Sequence, residues 1–218
     1  MKQPEHISKP EGRLAVLLPG LGAVATTFIA GCLLARRGLA QPIGSLTQMG
    51  TIRLGKRTDN RAPRIADFVP LASLDQLCFG GWDLFADNAF ESAKNAKVLS
   101  SEHLDPIADE LKQIKPMPAA FYPEYVKRLH GPNVKRAANK ADMVEQLRQD
   151  IRDFIRNNKC DRAVAVWCGS TEIYIEPSEV HSSIEKFEKG LLENDPAITS
   201  SMLYGWACIK EGVPFANA

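Results

Sequence analysis

The stretch that decides the fold is RLAVLLPGLGAVATTFIAG, from Arg13 to Gly31. Its first part, 13–18, is a continuous apolar run of strand length, which is typical of a strand covered on both faces in a parallel sheet. Two closely spaced glycines follow, and from Ala23 to Arg37 the apolar spacing becomes helical, with Gly38 placed to end the helix. A strand, a glycine turn and a helix in this order indicate a turn that binds phosphate.

The turn itself reads GLGAVA, which is the pattern GxGxxG with alanine in the third position. That position needs only a small residue, because it lies where the helix packs against the strand. Gly20 permits the sharp turn, Gly22 lets the backbone approach a pyrophosphate, and the helix from Ala23 supplies free amide donors and the positive end of its dipole. Taken alone, the pattern fits a plain strand-to-helix turn equally well.

One part of the usual dinucleotide pattern is missing. An acidic residue ~20 positions after the glycines normally holds the adenosine ribose, but no carboxylate lies between Glu11 and Asp59. Two alternatives remain: Asp83, after a Gly-Gly-Trp turn, binds the ribose, or a basic cluster binds a 2′-phosphate. Asp83 is equally compatible with a role as the N-cap of the following helix. The basic cluster is better explained as part of a solvated loop than as a phosphate site. The cluster comprises Arg53, Lys56, Arg57, Arg61 and Arg64.

Strand and helix patterns alternate along the remaining chain. Short strands or strand ends are predicted at 66–72 and 76–83, a buried strand at 162–168, and helices at 84–96, 104–114, 141–158, 179–192 and 198–211. This order predicts an α/β fold with a doubly wound, mostly parallel sheet and helices on its faces. Ligands bind such sheets beyond the carboxyl ends of the strands, so residues 20–24, 81–83 and 169–171 are expected at one edge.

Composition narrows the functional classes. The chain has 218 residues, of which 44% are hydrophobic and 24% charged, and its net charge of +1 favours neither nucleic acid nor a membrane as a partner. Its five cysteines are scattered without metal-site spacing, and no residue stands in a nucleophile motif. The polar tail 1–12 lacks the apolar core of a signal peptide, so we expect a cytoplasmic protein without a metal site.

Six segments, taken in order, resemble successive blocks of the myo-inositol-1-phosphate synthase family. They are LPGLGAVATTFIAG, GSLTQMGTIRLG, FGGWDLFADNAFESA, IKPMPAAFYPEYV, VAVWCGSTE and GLLENDPAITSSMLYGWACIKEGVPFAN, within residues 13–217. The resemblance implies a Rossmann-like fold and an isomerisation in which NAD is consumed and regenerated in one cycle. The implied substrate is D-glucose 6-phosphate, and the implied product is 1D-myo-inositol 3-phosphate.

The resemblance also implies contacts to NAD. Asp83 corresponds to the family's ligand of the adenosine ribose, which favours NAD over NADP. The family's block along the cofactor appears as residues 167–172, with Ser170 where asparagine is common, and Ala119 stands where a serine often makes a contact, so that only its backbone could do so. The implied cofactor-binding residues are Gly20, Leu21, Gly22, Ala23, Val24, Asp83, Gly169, Ser170 and Thr171.

Family enzymes continue into a further domain that carries the catalytic lysines and builds a tetramer. The resemblance therefore predicts that residues 13–218 form an incomplete NAD-binding domain, truncated before that catalytic and tetramerisation domain and without a catalytic residue. A full-length protein is expected to be a homotetramer. Two other interpretations stay open, namely a non-catalytic NAD-binding or interaction module, and another NAD(P)-dependent dehydrogenase whose basic loop selects NADP.

Overall fold

A computed structural model describes residues 10–67 and 69–217. They contain a five-stranded, entirely parallel sheet with the order β3-β2-β1-β4-β5. The strands are β1 (Leu14–Pro19), β2 (Leu77–Asp83), β3 (Met117–Pro118), β4 (Arg162–Trp167) and β5 (Phe215–Asn217). This is the order of the first five strands of the doubly wound dinucleotide-binding fold, and it confirms the predicted fold class.

Eight α-helices connect or flank these strands in the described part of the chain. They are α1 (Ala23–Arg36), α2 (Leu46–Met49), α3 (Ala89–Ala96), α4 (Ser101–Leu104), α5 (Ala108–Gln113), α6 (Lys140–Asn157), α7 (Ile184–Glu193) and α8 (Ser200–Lys210). None of the helices within residues 10–67 and 69–217 is long and apolar enough to cross a membrane.

The central strand β1 divides the core into two layers. Leu17 packs into a cluster with Leu147 of α6 and Leu203 of α8. The alternate residues Val16 and Leu18 pack into a second cluster, on the opposite face, together with apolar residues of α1, α3 and α5. Because side chains alternate across a strand, only a continuous apolar run can supply both layers. This is why the run at 13–18 predicted the strand correctly.

The register between β1 and β2 brings two distant turns together. Leu18 lies opposite Gly81, and Pro19 lies opposite Trp82. A Cβ atom on Gly81 would lie only 2.0 Å from the carbonyl oxygen of Leu18, so this close pairing requires glycine. Both strands therefore end at the same edge, with the glycine turn following β1 and Asp83 closing β2.

Four predictions about secondary structure were wrong in detail. The helix predicted at 179–192 begins at Ile184, after a separate 3-10 turn at Glu179–His181. The described part of 66–72 contains no strand; a 3-10 turn covers Ile65–Asp67 and Pro70 follows, while residue 68 lies outside the described residues. The helix expected from residue 84 begins at Ala89, after a loop. In β4 only Ala165 is fully buried, because the strand beside it, β5, has three residues and forms the sheet edge. The strands β3 and β5 were not predicted, since two or three residues show no periodicity.

The basic cluster lies in an exposed loop. The helix α2 precedes it, and an antiparallel bridge joins Thr51 to Arg64. Its five cationic side chains form no salt bridge within residues 10–67 and 69–217. This arrangement agrees with a solvated loop. Of the polar tail predicted at 1–12, residues 1–9 lie outside the described part.

Candidate functional site

A cavity of about 520 Å³ lies at the carboxyl edge of the sheet, where β1, β2, β3 and β4 end. Its volume is in the range of small-molecule sites. Residues from all three predicted turns line it: Gly20, Gly22, Ala23, Asp83, Gly169 and Ser170. The described lining does not include Leu21, Val24 or Thr171, although each is a chain neighbour of a lining residue. The rule for doubly wound sheets thus located the edge correctly.

Gly20 shapes the first turn. Its φ of +90° is a conformation that residues with a Cβ atom rarely adopt. A Cβ atom there would lie 2.6 Å from the backbone nitrogen and Cα of Gly169, and the N–H of Gly20 donates to the carbonyl oxygen of Trp82 at 2.8 Å. The turns after β1 and β4 are therefore in backbone contact, and this contact requires glycine at position 20.

Gly22 leaves space at the start of α1. It is the N-cap residue of that helix, and no heavy atom lies within 4 Å of a Cβ atom built on it. The backbone N–H groups of the first helical turn have no partner within the helix, and the helix dipole makes this end positive. The open space beside these amides has the properties of a phosphate site.

Two hydroxyl groups hold the carbonyl groups of this turn. The Oγ of Ser92, on α3, donates to the carbonyl oxygen of Leu21 at 2.6 Å. The Oγ1 of Thr26 donates to the carbonyl oxygen of Gly22 at 2.9 Å. Since these carbonyl oxygens are engaged, the peptide planes are fixed and the amides at the helix start remain available to a ligand.

Asp83 is joined to the glycine turn by a direct hydrogen bond. Its Oδ2 accepts the backbone N–H of Leu21 at 2.7 Å, and its Oδ1 accepts the N–H of Phe85 at 3.0 Å. Burial raises the pKa of the Asp83 carboxyl above its ordinary value, and the two N–H donors act in the opposite direction. Each oxygen accepts one described hydrogen bond and so retains capacity to accept a ribose hydroxyl.

The hypothesis that Asp83 caps the following helix is wrong. The cap of α3 is Asn88, whose Oδ1 accepts the N–H groups of Phe90 and Glu91, each at 3.0 Å. The N–H of Asn88 in turn donates to the side chain of Glu91 at 3.1 Å. Because Asn88 caps this helix, Asp83 has no capping role there, and it lines the cavity.

An aromatic cluster forms the wall on the β4 side. The ring of the buried residue Tyr204, on α8, lies edge-on to those of Trp82 and Trp167, at centroid distances of 5.2 and 5.6 Å. Its hydroxyl accepts the N–H of Ala120 at 2.9 Å. Both tryptophans line the cavity as well. Sequence reasoning missed Tyr204, whose only signal is its place in a largely apolar helix.

Other polar groups of this wall are already engaged. The carboxylate of Glu172 accepts the backbone N–H of Ser201 at 3.0 Å and its hydroxyl at 2.5 Å. At Ala119, the N–H donates to the carbonyl oxygen of Asn133, and the carbonyl oxygen accepts the N–H of Lys135. Any contact through the Ala119 backbone would therefore have to use the remaining lone pair of its carbonyl oxygen.

The charges in the cavity are all negative. The lining contains the carboxylates of Asp83, Asp87 and Glu172, and none of its described residues is lysine, arginine or histidine. The basic cluster therefore does not contribute to this cavity. Within residues 10–67 and 69–217, no group of three or more His, Cys, Asp or Glu side chains could hold a metal ion.

Comparison with known proteins agrees with this geometry. The profile described as myo-inositol-1-phosphate synthase, specifically its NAD-binding domain, matches residues 14–218. The chain belongs to this family. It carries the NAD-binding domain of the myo-inositol-1-phosphate synthase family, and its cofactor is NAD.

Individual members of the family differ in their similarity to the chain. It is 50% identical, over 217 residues, to inositol-3-phosphate synthase 1 of Bacteroides thetaiotaomicron; the match covers 99% of this chain and 49% of that protein. It is 30% identical over 221 residues to inositol-3-phosphate synthase 1 of rice, Oryza sativa subsp. japonica, covering 94% of this chain and 43% of that protein. The chain thus spans about half the length of these relatives.

A solved structure shows the same fold. The crystal structure of inositol-3-phosphate synthase from Caenorhabditis elegans superimposes with a TM-score of 0.86 at 24% sequence identity. The superposition covers 94% of this chain and 43% of that one. At this identity the likeness shows the fold alone, and it agrees with the parallel strand order described above.

Proposed function

We propose that this chain provides the NAD-binding part of an inositol-3-phosphate synthase, which converts D-glucose 6-phosphate to 1D-myo-inositol 3-phosphate. The observation that carries the proposal is the open, amide-lined space at Gly22, which shares one cavity with Asp83. This cavity lies in a chain that is 50% identical to a protein named as such a synthase.

The residues present suit the parts of NAD. The turn comprising Gly20, Leu21, Gly22, Ala23 and Val24 would hold the pyrophosphate, since it combines open space with the positive end of α1. Asp83 would accept hydrogen bonds from the adenosine ribose. The turn after β4, with Gly169, Ser170 and Thr171, would lie along the nicotinamide half, in keeping with the direction in which dinucleotides cross this fold.

Bound NAD would supply the acceptor and donor of a hydride. The contribution of this chain is to hold and orient that group. The aromatic wall formed by Trp82, Trp167 and Tyr204 would keep water away from the β4 side of the bound cofactor. Rigid positioning and exclusion of water are what a hydride transfer requires of its surroundings.

The remaining chemistry is assigned elsewhere. In this proposal residues 13–218 are the NAD-binding domain, and the acid, the base and the sugar phosphate contacts come from the half of the relatives that this chain does not match. The described lining offers no lysine to stabilise an enolate. A complete enzyme of this kind would be a homotetramer in the cytoplasm.

The test is to titrate the 218-residue chain with NAD and, in parallel, to incubate it with NAD and glucose 6-phosphate. We expect saturable NAD binding without formation of inositol phosphate. Formation of product would contradict the assignment of the chemistry to the other half of the relatives. Absence of NAD binding would contradict the proposed site.

A second candidate function is a non-catalytic NAD-binding module. The observation in its favour is the same absence of lysine, arginine and histidine from the described lining of the cavity. A module of this kind would be monodisperse and stable on its own. Sedimentation velocity separates the two candidates, because a part of a larger enzyme leaves apolar surface uncovered and would associate or aggregate.

A further inference from the structure

Asp87 is a second carboxylate on the Asp83 side of the cavity. It lies in the loop between β2 and α3, it is exposed to solvent, and it lines the cavity. Its Oδ2 accepts a hydrogen bond from the Nδ2 of Asn95, on α3, at 3.1 Å. Because Asn95 also lines the cavity, this bond holds the Asp87 carboxylate at the cavity rather than leaving it free in solution.

The hydrogen-bond donors around the two carboxylates are already used. The N–H groups of Leu21 and Phe85 donate to Asp83, and the amide of Asn95 donates to Asp87. None of the described lining residues carries a positive charge. This environment accepts hydrogen bonds from hydroxyl groups, but it offers no cation to a phosphate group.

The two carboxylates also interact electrostatically. The negative charge of Asp87 is one of the influences that raise the pKa of Asp83. A charge that acts on the Asp83 carboxyl also acts on any anion placed beside that carboxyl, with the same sign. A phosphate on the ribose 2′-oxygen carries roughly two negative charges, and it would place them at this position.

We infer that Asp87 is a specificity-determining residue of the cofactor site, whose charge, added to that of Asp83, disfavours a dinucleotide with a 2′-phosphate. The inference rests on the proposed placement of the adenosine ribose beside Asp83. It differs from the usual arrangement, in which a single acidic residue at the end of the second strand binds the ribose. Here a second carboxylate, held by Asn95, contributes by repulsion.

The test is the variant Asp87→Asn, which keeps an oxygen that can accept the Asn95 amide and removes only the charge. Dissociation constants for NAD and for NADP are measured by calorimetry in low-salt buffer. If about 7 Å is taken as the separation between the Asp87 carboxylate and a doubly charged 2′-phosphate, Coulomb's law gives a change in affinity of about sevenfold in an aqueous dielectric. Allowing for a smaller effect on the more distant pyrophosphate, we expect the preference for NAD over NADP to fall about fourfold.

A matched control and a salt series complete the experiment. Asp109→Asn removes a charge from a side chain on α5 that is 96% exposed and outside the described cavity lining, and it should leave the preference unchanged. In about 0.5 M salt the effect of Asp87→Asn should fall below about twofold, because screening shortens the reach of the charge. A contribution to folding alone would show no such dependence on salt.

The outcomes separate the inference from the proposed function. If the unaltered chain binds NAD and Asp87→Asn leaves the preference unchanged at low salt, the inference is wrong and the cofactor site stands. If the unaltered chain binds neither dinucleotide, the proposed site itself is wrong. If the preference falls and the fall disappears in high salt, Asp87 acts through its charge as inferred.

Discussion

The two glycines of the turn after β1 should respond differently to alanine. Gly20 has a φ of +90°, and a Cβ atom there would lie 2.6 Å from the backbone of Gly169. Gly22 has a φ of −80°, and its added Cβ atom would meet no heavy atom within 4 Å. Alanine at position 20 should therefore destabilise the fold, whereas alanine at position 22 should impair binding of the cofactor.

The cost of Gly20→Ala has two parts. A residue with a Cβ atom at positive φ costs about 1–2 kcal/mol. Displacing the Gly169 backbone, which cannot rotate away as a flexible side chain can, costs about 1–3 kcal/mol more. The free energy of unfolding should fall by about 2–5 kcal/mol, which corresponds to a decrease in Tm of about 5–15 °C for a chain of this size.

The cost of Gly22→Ala should appear only when the ligand is present. Glycine is a better N-cap than alanine by about 0.5–1 kcal/mol, and the smaller conformational freedom of unfolded alanine offsets part of this difference. Tm should change by less than about 2 °C. The new methyl group occupies the space next to the free amides, and loss of one hydrogen bond to a charged phosphate weakens NAD binding about 10- to 150-fold.

Thermal unfolding followed by circular dichroism, together with NAD titration by calorimetry, tests both expectations. Gly31→Ala is the matched control, because Gly31 is exposed in the middle of α1 with open space around it; it should leave NAD affinity unchanged. Unaltered NAD affinity in Gly22→Ala would refute the assignment of this space to phosphate. Unaltered Tm in Gly20→Ala would refute the described backbone contact.

Three further predictions concern single side chains. Asp83→Ala should weaken NAD binding at least about tenfold, measured by calorimetry, because it removes a charged acceptor from the ribose. Asp150→Ala should lower the free energy of unfolding by about 3 kcal/mol in urea denaturation, because Trp82 Nε1 and the largely buried Lys135 lose their partner, at 2.7 and 2.8 Å. Burial raises the pKa of the Cys208 thiol from 9.0 to about 12, so the unfolded chain loses this proton first as pH rises, and stability falls. Between pH 8 and 10, the free energy of unfolding should therefore fall by about 1.4 kcal/mol less in Cys208→Ala than in the unaltered chain.

Each of these predictions would be contradicted by a specific result. NAD affinity that survives Asp83→Ala would argue against the ribose assignment. Asp153→Ala disrupts an exposed ion pair with Arg156 on the same helix and should cost less than about 1 kcal/mol; an equal effect of Asp150→Ala would contradict the importance of its buried partners. An identical pH dependence with and without the Cys208 thiol would show that this group does not titrate differently on unfolding.

Much of the fold could be predicted from local patterns. A strand, a turn and a helix were predicted at the correct positions near the start of the chain. The prediction came from the apolar run before Pro19, the two glycines and the helical spacing of apolar residues from Ala23. The helix predicted at 141–158 is α6, the longest helix in the described chain, and both of its ends were predicted to within one residue. The strands β3 and β5 escaped prediction because they have too few residues for a period, and their pairing depends on neighbouring strands.

The candidate site could be predicted only as a location. The sequence indicated which turns meet at the edge, because parallel strands end on the same side. From the sequence, Asp83 could either cap the following helix or bind the ribose. The structure excludes the capping role, because Asn88 caps that helix. The basic cluster illustrates the same limit, since its residues are abundant in the sequence but lie outside the cavity lining.

The sequence by itself therefore determined most of the elements and the edge at which the three turns meet, because these depend on side-chain periodicity and on glycine within a few residues. Only the tertiary structure decided which groups share the cavity. Asp83 and Leu21 are separated by 62 positions and Tyr204 and Ala120 by 84, yet each pair is joined by a hydrogen bond. Such contacts depend on strand register and helix packing. These bring together segments that are far apart in the chain, and the local sequence of one segment does not indicate which other segment it will contact.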